Sequence, residues 1–546
     1  MFHLFFKSGS LGPSILIAAY AAVGGLMYGH STGLIAGLLA MDPFKHHYGA
    51  VSEEDGAYYL PSGTKALFVS VLSIGQFCGA FSTGYLADLR GRRLALIFGS
   101  LLFMFAVAMQ VATPSTVVLA IGRFIAGFAV GAICSIGPMY QAEIAPRNLR
   151  GTITAGFHSA KTIGILLVAI INNATKDIDG SAAYLIPTYL QLMWPICLIA
   201  GFAFLPESPR YYMKCNKREK ARQALSVIRH REVDDPLIST ELDEIEFSLE
   251  LEQSFGDATF KDCFKKENRQ LFRLIVGLVM GAFSQLVGVN FIKFFGTDFF
   301  QQAGLSNSFI ISIAIDLVSV VMTIPALYFV ERFGRRRFLI AGSFLCGVIQ
   351  FTISIAALTT SPNTAQKILI SFCILYIAVE SISVGPTILV VIGETFSLRT
   401  RAKSIALSIG FDFFWSFAIA IGTPYLVDPG PGSADLGSNV FFIWGSSCLA
   451  ASLYMYFCLY ETKALTLEQI DELYLTVPYA WQPMSFVPRD ENLESDTILE
   501  LNGKRHSNTD MNATEIGNAA FETQEEFSIE EITEDIIQEH QVWSNI

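Results

Sequence analysis

Charge is what this chain lacks: only 16% of its 546 residues are Asp, Glu, Lys or Arg, where a water-soluble domain carries about a quarter. So few charges cannot cover the surface of a soluble 60.0 kDa protein, and a soluble enzyme is excluded. Paired cysteine spacing is missing too. The nine Cys (78, 134, 197, 215, 263, 346, 373, 448 and 458) are scattered, mostly inside apolar runs, and imply neither a disulfide framework nor a metal site. No GxxxxGK[ST] loop is present to cradle a nucleotide phosphate, which argues against an ATP-driven pump. No nucleophile, base and orienting residue group together near a recognisable motif, so neither catalysis nor a cofactor is expected.

What is present dissolves in lipid. Hydrophobic residues make up 52% of the chain, with 44 Phe to face acyl chains and 43 Gly to let helices approach closely. Twelve predominantly apolar stretches, numbered here as spans 1 to 12 in chain order, lie between residues 12 and 460, and each is long enough to cross a bilayer. The first follows a single Lys and has no small-x-small cleavage site, so it reads as a retained span.

The net charge of −12 has one source. Residues 489 to 546 hold 15 acidic against 3 basic residues, leaving 34 of each sign elsewhere. That tail reads as a disordered cytosolic extension, and its sign argues against nucleic acid. Among the short loops, those after spans 2, 4, 8 and 10 carry Arg90, Arg92, Arg93, Arg147, Arg150, Arg332, Arg335, Arg336, Arg337, Arg399, Arg401 and Lys403. The opposite loops hold only Lys45, Lys65, Lys176 and Lys367. Lys and Arg accumulate on the cytosolic side, so both termini are expected there; the membrane expected is the plasma membrane, with the vacuolar one as the alternative.

The chain repeats itself. Asp88-Leu-Arg90-Gly91-Arg92-Arg93 is answered by Glu331-Arg-Phe-Gly334-Arg335-Arg336, and Glu143 with Arg150 by Glu394 with Arg401. Pro206-Glu207-Ser208-Pro209-Arg210 is answered by Tyr460-Glu461-Thr462-Lys463. The fold expected is an all-α membrane protein of twelve transmembrane helices in two parallel six-helix pseudo-repeats. Its parts are 1–206 and 274–460 for the halves, 207–273 for cytosolic linker helices, and 461–546 for an acidic tail, disordered after about 488.

These motifs, with Gly122-Arg123, Pro138-x-Tyr140-x-x-Glu143-Ile-Ala-Pro146-x-x-x-Arg150-Gly151, Gln285-Leu-x-Gly288-x-Asn290 and Glu461-Thr-Lys463-x-Leu-Thr-Leu-Glu468, resemble the sugar porter family of the major facilitator superfamily. The resemblance implies a monomeric secondary carrier that moves a hexose, polyol or sugar acid by alternating access. It implies a facilitator or a proton-coupled carrier, with the lipid bilayer, a sugar-like solute and, in the coupled case, protons as partners. The rival reading is a sugar sensor on a transporter scaffold.

The resemblance also implies site residues. Sugar hydroxyls are held in the family by amides on spans 5, 7, 8 and 11 and by a Trp on span 10; an amide offers a hydroxyl both a donor and an acceptor. Gln285 and Asn290 match this pattern. The remaining positions read His158, Ser284, Ser319, Asp412-Phe413 and, for the Trp, Leu389. Lys293 precedes the aromatic pair Phe294-Phe295. Asp412 favours hydroxyls and Lys293 favours a carboxylate, so polyol, sugar and sugar acid all stay open. The acid that proton-coupled members carry on span 1 reads Ser31, beside His30, which is either a proton carrier or a satisfied helix contact.

Charges inside spans are expensive and must be paired or wet. Lys161, Asp316, Glu380, Asp412 and Arg123 are therefore candidates for charge coupling, and Lys161 with Asp316 is the expected structural pair, because spans 5 and 8 meet in the family fold. Asp88, Arg92, Glu143, Arg150, Glu207, Arg210, Glu331, Arg335, Glu394, Arg401 and Glu461 form the expected cytosolic gating network, in which Arg on one helix holds Glu on another until the halves rock apart.

Overall fold

The computed structural model describes residues 12–482 except 52–55, 57, 113–114, 147–149, 255–258, 306, 398, 430–431, 464 and 466. At 83–86, 150, 152, 251–254, 327, 402, 467 and 468 it describes the backbone alone, so the acidic tail and the Arg150 side chain lie outside the described residues.

Twelve helices are long and apolar enough to cross a membrane. They are Gly12–Ala40, Ser62–Ser82, Arg92–Ala112, Thr116–Ile144, Ile153–Thr175 and Ala182–Phe202, then Glu267–Gln302, Ser308–Ala326, Arg335–Thr359, Pro362–Glu394, Lys403–Val427 and Gly437–Cys458. The chain is an integral, multi-pass membrane protein. A two-residue antiparallel pairing, Ala50 with Tyr59 and Val51 with Tyr58, is the one β element among the described residues.

The repeat seen in the motifs is visible in the packing. Spans 2 and 4 pack together in the first half and spans 8 and 10 in the second; spans 1 and 5 correspond in the same way to spans 7 and 11. Across the halves, span 2 packs on span 11, span 5 on span 8 and span 1 on span 7. The turns leading into spans 3 and 9 match in detail. Gly91 and Gly334 adopt φ of 92° and 85°, a region that L side chains avoid. A Cβ on Gly91 would stand 2.2 Å from Glu207 Oε2, and one on Gly334 would stand 2.6 Å from Glu461 Oε2. Each glycine therefore makes room for a carboxylate from the end of its own half.

Irregular backbone marks the middle of the bundle. Span 7 breaks at Gly288, where φ is 91°, into Gln270–Leu286 and Val289–Gln302. Span 10 carries one π-helical turn, Glu380–Val384, a geometry that is rare and concentrates at functional sites. Such breaks expose backbone polar groups and persist at membrane depth only where they line protein or a cavity.

Between the halves lie the helices Pro209–Lys214, Arg218–Arg229 and Pro236–Ser254. Met213, Ala221, Leu225, Ile238 and Leu242 give them a small core of their own. Arg229 anchors them to the first half by donating 2.9 Å bonds to the Ile144 carbonyl and to Ser14 Oγ.

Candidate functional site

The broken span 7 places Ser284 and Gln285 just before the break and Asn290 and Lys293 just after it. Asp412 on span 11 faces the first pair. Its Oδ1 accepts from Gln285 Nε2 at 2.7 Å and from Ser284 Oγ. Gln285 Oε1 in turn accepts from Asn290 Nδ2, which also donates to Ser416 Oγ at 3.3 Å. Ser416 lies 3.4 Å from Ser73 Oγ on span 2, so the chain of polar groups reaches the other half. Four of the residues expected at the sugar site are thus brought into one hydrogen-bonded cluster. Ser73 and Ser416 were not expected; a single hydroxyl in an apolar run gives little signal.

A second polar group lies on spans 8 and 10. Ser319 and Ser381 hydroxyls stand 2.9 Å apart, and Ser381 donates to Glu380 Oε2 at 3.3 Å on the π-helical turn. The expected Lys161–Asp316 pair is not formed. Asp316 instead pairs with Lys293, Nζ to Oδ1 at 2.6 Å, with each side chain 9% exposed. Spans 5 and 8 do meet, but Lys293 sits one helix away within the same half as Asp316 and takes the carboxylate. Lys161 lies 4.5 Å above the Tyr28 ring and within electrostatic range of Asp412 and Glu380. Half-buried His158 is one turn earlier on span 5, within range of both lysines. Phe413 is buried at 6% exposure.

Two other candidates lie apart from this cluster. His30 is fully buried; Trp194 Nε1 donates to its Nδ1 at 3.1 Å and its Nε2 faces the Pro187 carbonyl at 3.1 Å. With one nitrogen accepting, the other carries the proton and donates, so both ends of the ring are used in joining spans 1 and 6. Arg123 donates from Nε to the Phe68 carbonyl at 2.6 Å, tying span 4 to span 2 beside Gln110, Tyr48 and Tyr184.

The Arg-rich loops form a matched pair of ionic clusters. In the first half Arg92 donates to Glu143 Oε1 at 2.9 Å and reaches Asp88 at 3.4 Å, while Glu207 accepts from the backbone N–H groups of Arg92, Arg93 and Ser208. In the second half Arg335 pairs with Glu394 at 3.1 Å, and Glu461 accepts from the N–H groups of Arg335 and Arg336. Burial holds the Glu207 carboxyl above its ordinary range, against the N–H groups that favour its charged form. Arg401 donates to the Gly393 carbonyl at 2.9 Å, Arg210 is half-buried and Glu331 is exposed. The ion pairs described on this face lie within one half, between the first half and the linker, or, for Arg273 with Asp471, between span 7 and the helix Leu467–Thr476 that follows span 12, and none of those described joins the two halves. The repeated loops put each acid nearest the Arg of its own repeat.

Fold and site define a carrier-type membrane protein of the major facilitator architecture. The family model described as "Sugar (and other) transporter" matches residues 17–474, and the chain belongs to that family. It is 37% identical over 494 residues to the major facilitator-type transporter ecdD of Aspergillus rugulosus, covering 88% of this chain and 91% of that one. It is 38% identical to the high glucose sensor RGT2 of Saccharomyces cerevisiae, covering 85% of this chain and 61% of that one. The probable glucose transporter rco-3 of Neurospora crassa is 37% identical, with 88% and 82% covered. Among solved structures, the inward open xylose transporter XylE from E. coli superposes with a TM-score of 0.68 at 22% identity, covering 84% of this chain and 99% of that one.

Proposed function

We propose that this chain carries a monosaccharide, or a closely related polyol or sugar acid, across a membrane by alternating access, with the Gln285–Asn290–Asp412 cluster as its binding site. The observation that carries the reading is that cluster itself. Donors and acceptors from both arms of a broken helix and from span 11 converge between the two halves, and a polyhydroxylated solute can replace each bond they now make with one another. The Lys293–Asp316 pair neutralises the lysine that would otherwise select a carboxylate, which favours a neutral sugar or polyol over a sugar acid.

The matched ionic clusters act as hinges that keep each half rigid while the halves rock. The Arg-rich face is cytosolic, the membrane is the plasma membrane and the working unit is the monomer. The carrier is a facilitator: Ser31 does not titrate near neutrality and His30 is occupied on both nitrogens. The test is uptake of labelled hexoses, polyols and uronic acids into vesicles containing the purified chain, with and without a pH gradient. Saturable uptake of a neutral solute that ignores the gradient is the expected result.

The 38% identity to a glucose sensor favours a second reading, a receptor that binds the same solute and changes conformation without turnover. Binding of a solute that is never taken up would select it.

A further inference from the structure

Two of the four lysines of the loops opposite the Arg-rich face sit at the junction of the halves, Lys65 buried and Lys45 half-buried. Lys65, at the start of span 2, is 5% exposed; its Nζ lies 2.6 Å from Asp298 Oδ2 and 3.1 Å from Asp428 Oδ2. Asp298 closes span 7 and Asp428 follows span 11, and they are 3% and 8% exposed. Lys45 adds a donor, 2.9 Å from Gln301 Oε1 and 3.7 Å from Asp298 Oδ1. Gln302 Nε2 bridges both carboxylates, at 2.9 and 3.2 Å, and holds them in register for the lysine.

The division of labour is strict. Both cations come from the first half and both anions from the second, whereas none of the ion pairs described on the Arg-rich face joins the two halves. Moving the halves apart on this face therefore breaks every Lys–Asp pair of the network at once, and moving them apart on the other face breaks none of the ion pairs described there. Packing runs the same way. Leu34, Leu38 and Phe68 of the first half share one continuous apolar core with Phe291, Phe295 and Val427 of the second. Buried ions are costly when one partner is lost in the dry state, but here opening would admit water to both signs together, so the pairs can part and re-form reversibly.

We propose that Lys65, Asp298 and Asp428, supported by Lys45 and Gln302, form the gate that closes the solute path on the face opposite the Arg-rich loops, and that their pairing sets how often this face opens. The proposal rests on the alternating-access reading, but its test does not need transport. Genetically encoded spin labels at Asp179 and Asn363, exposed positions on this face in the first and second halves, report the separation of the halves in the full chain in nanodiscs. The wild type gives a mainly short distance. Lys65→Met, which strands two buried carboxylates, enlarges the ratio of long to short distances about a hundredfold or more, and Asp298→Asn, which leaves Lys65 its Asp428 partner, enlarges it about tenfold. Lys65→Arg keeps the charge, retains the short distance and controls for folding. A Lys65→Met distribution superposable on the wild type would overturn the gate, leaving the phenylalanine core as the closure. A shifted distribution in a protein that carries no solute would uphold the gate and defeat the carrier reading instead.

Discussion

Replacing Lys293 by Met leaves the Asp316 carboxylate buried with 9% exposure and no counter-ion. Removing one partner of a buried pair costs about 3–5 kcal/mol, because the remaining charge stays desolvated. Replacing both, with Lys293→Met and Asp316→Leu together, removes both charges and should restore most of that loss. Each half resembles a domain of roughly 200 residues, for which 1 kcal/mol moves Tm by about 2–4 °C. The single variant should therefore melt roughly 6–20 °C lower in detergent, and the double variant within a few degrees of wild type. The assay is a four-corner thermal series on the purified chain, with Lys161→Met as the comparison. Lys161 rests over Tyr28 and forms no bridge to Asp316, so its coupling to Asp316→Leu should be small. Additive losses for Lys293 and Asp316, or a larger coupling for Lys161, would refute the pairing and return Lys293 to the list of residues that hold a substrate carboxylate.

Asp412→Asn exchanges charge-assisted hydrogen bonds for neutral ones, a difference of about 1–2 kcal/mol, and should weaken equilibrium binding of the best substrate roughly 5- to 30-fold while Phe413→Leu leaves it within about threefold. Glu143→Gln and Glu394→Gln each remove the negative charge that pairs with their half's Arg, so exchange rates should fall about tenfold or more with binding within about threefold of wild type, as stopped-flow exchange would show. Glu207 predicts a pH slope. Its native pKa is raised above the ordinary 4.5, so between those two values the folded state holds a proton that the unfolded chain has released, and stability falls as pH rises. Glu207→Gln should flatten Tm against pH over that window.

How much was legible beforehand follows from what lipid permits. Each span needs about 20 apolar residues, so all twelve helices could be counted, and the ionic motifs at their ends could be matched across the repeat. Gln285 and Asn290 were legible because the motif around the Gly288 break is specific. Partner choice was not. Asp316 lies within reach of span 5 by helix contact, yet Lys293 of its own half takes it, a decision made by side-chain reach and crossing geometry. Which Glu each Arg holds is not legible for a related reason: matching motifs in two halves look the same whether Arg92 and Arg335 pair within a repeat or between repeats. Lys45 and Lys65 were counted only for topology, because the acids that meet them lie more than 200 residues away.

On the alternating-access proposal, the polar cluster on the broken span 7 belongs to a cycling carrier. Entrance counterflow tests it most directly: vesicles containing the purified chain are loaded with unlabelled hexose or polyol and diluted into a trace of the labelled solute. A carrier predicts a transient accumulation of label above equilibrium that persists with a protonophore and is lost in Asp412→Ala. Specific binding of the solute with no counterflow would contradict the account and assign the fold to a receptor.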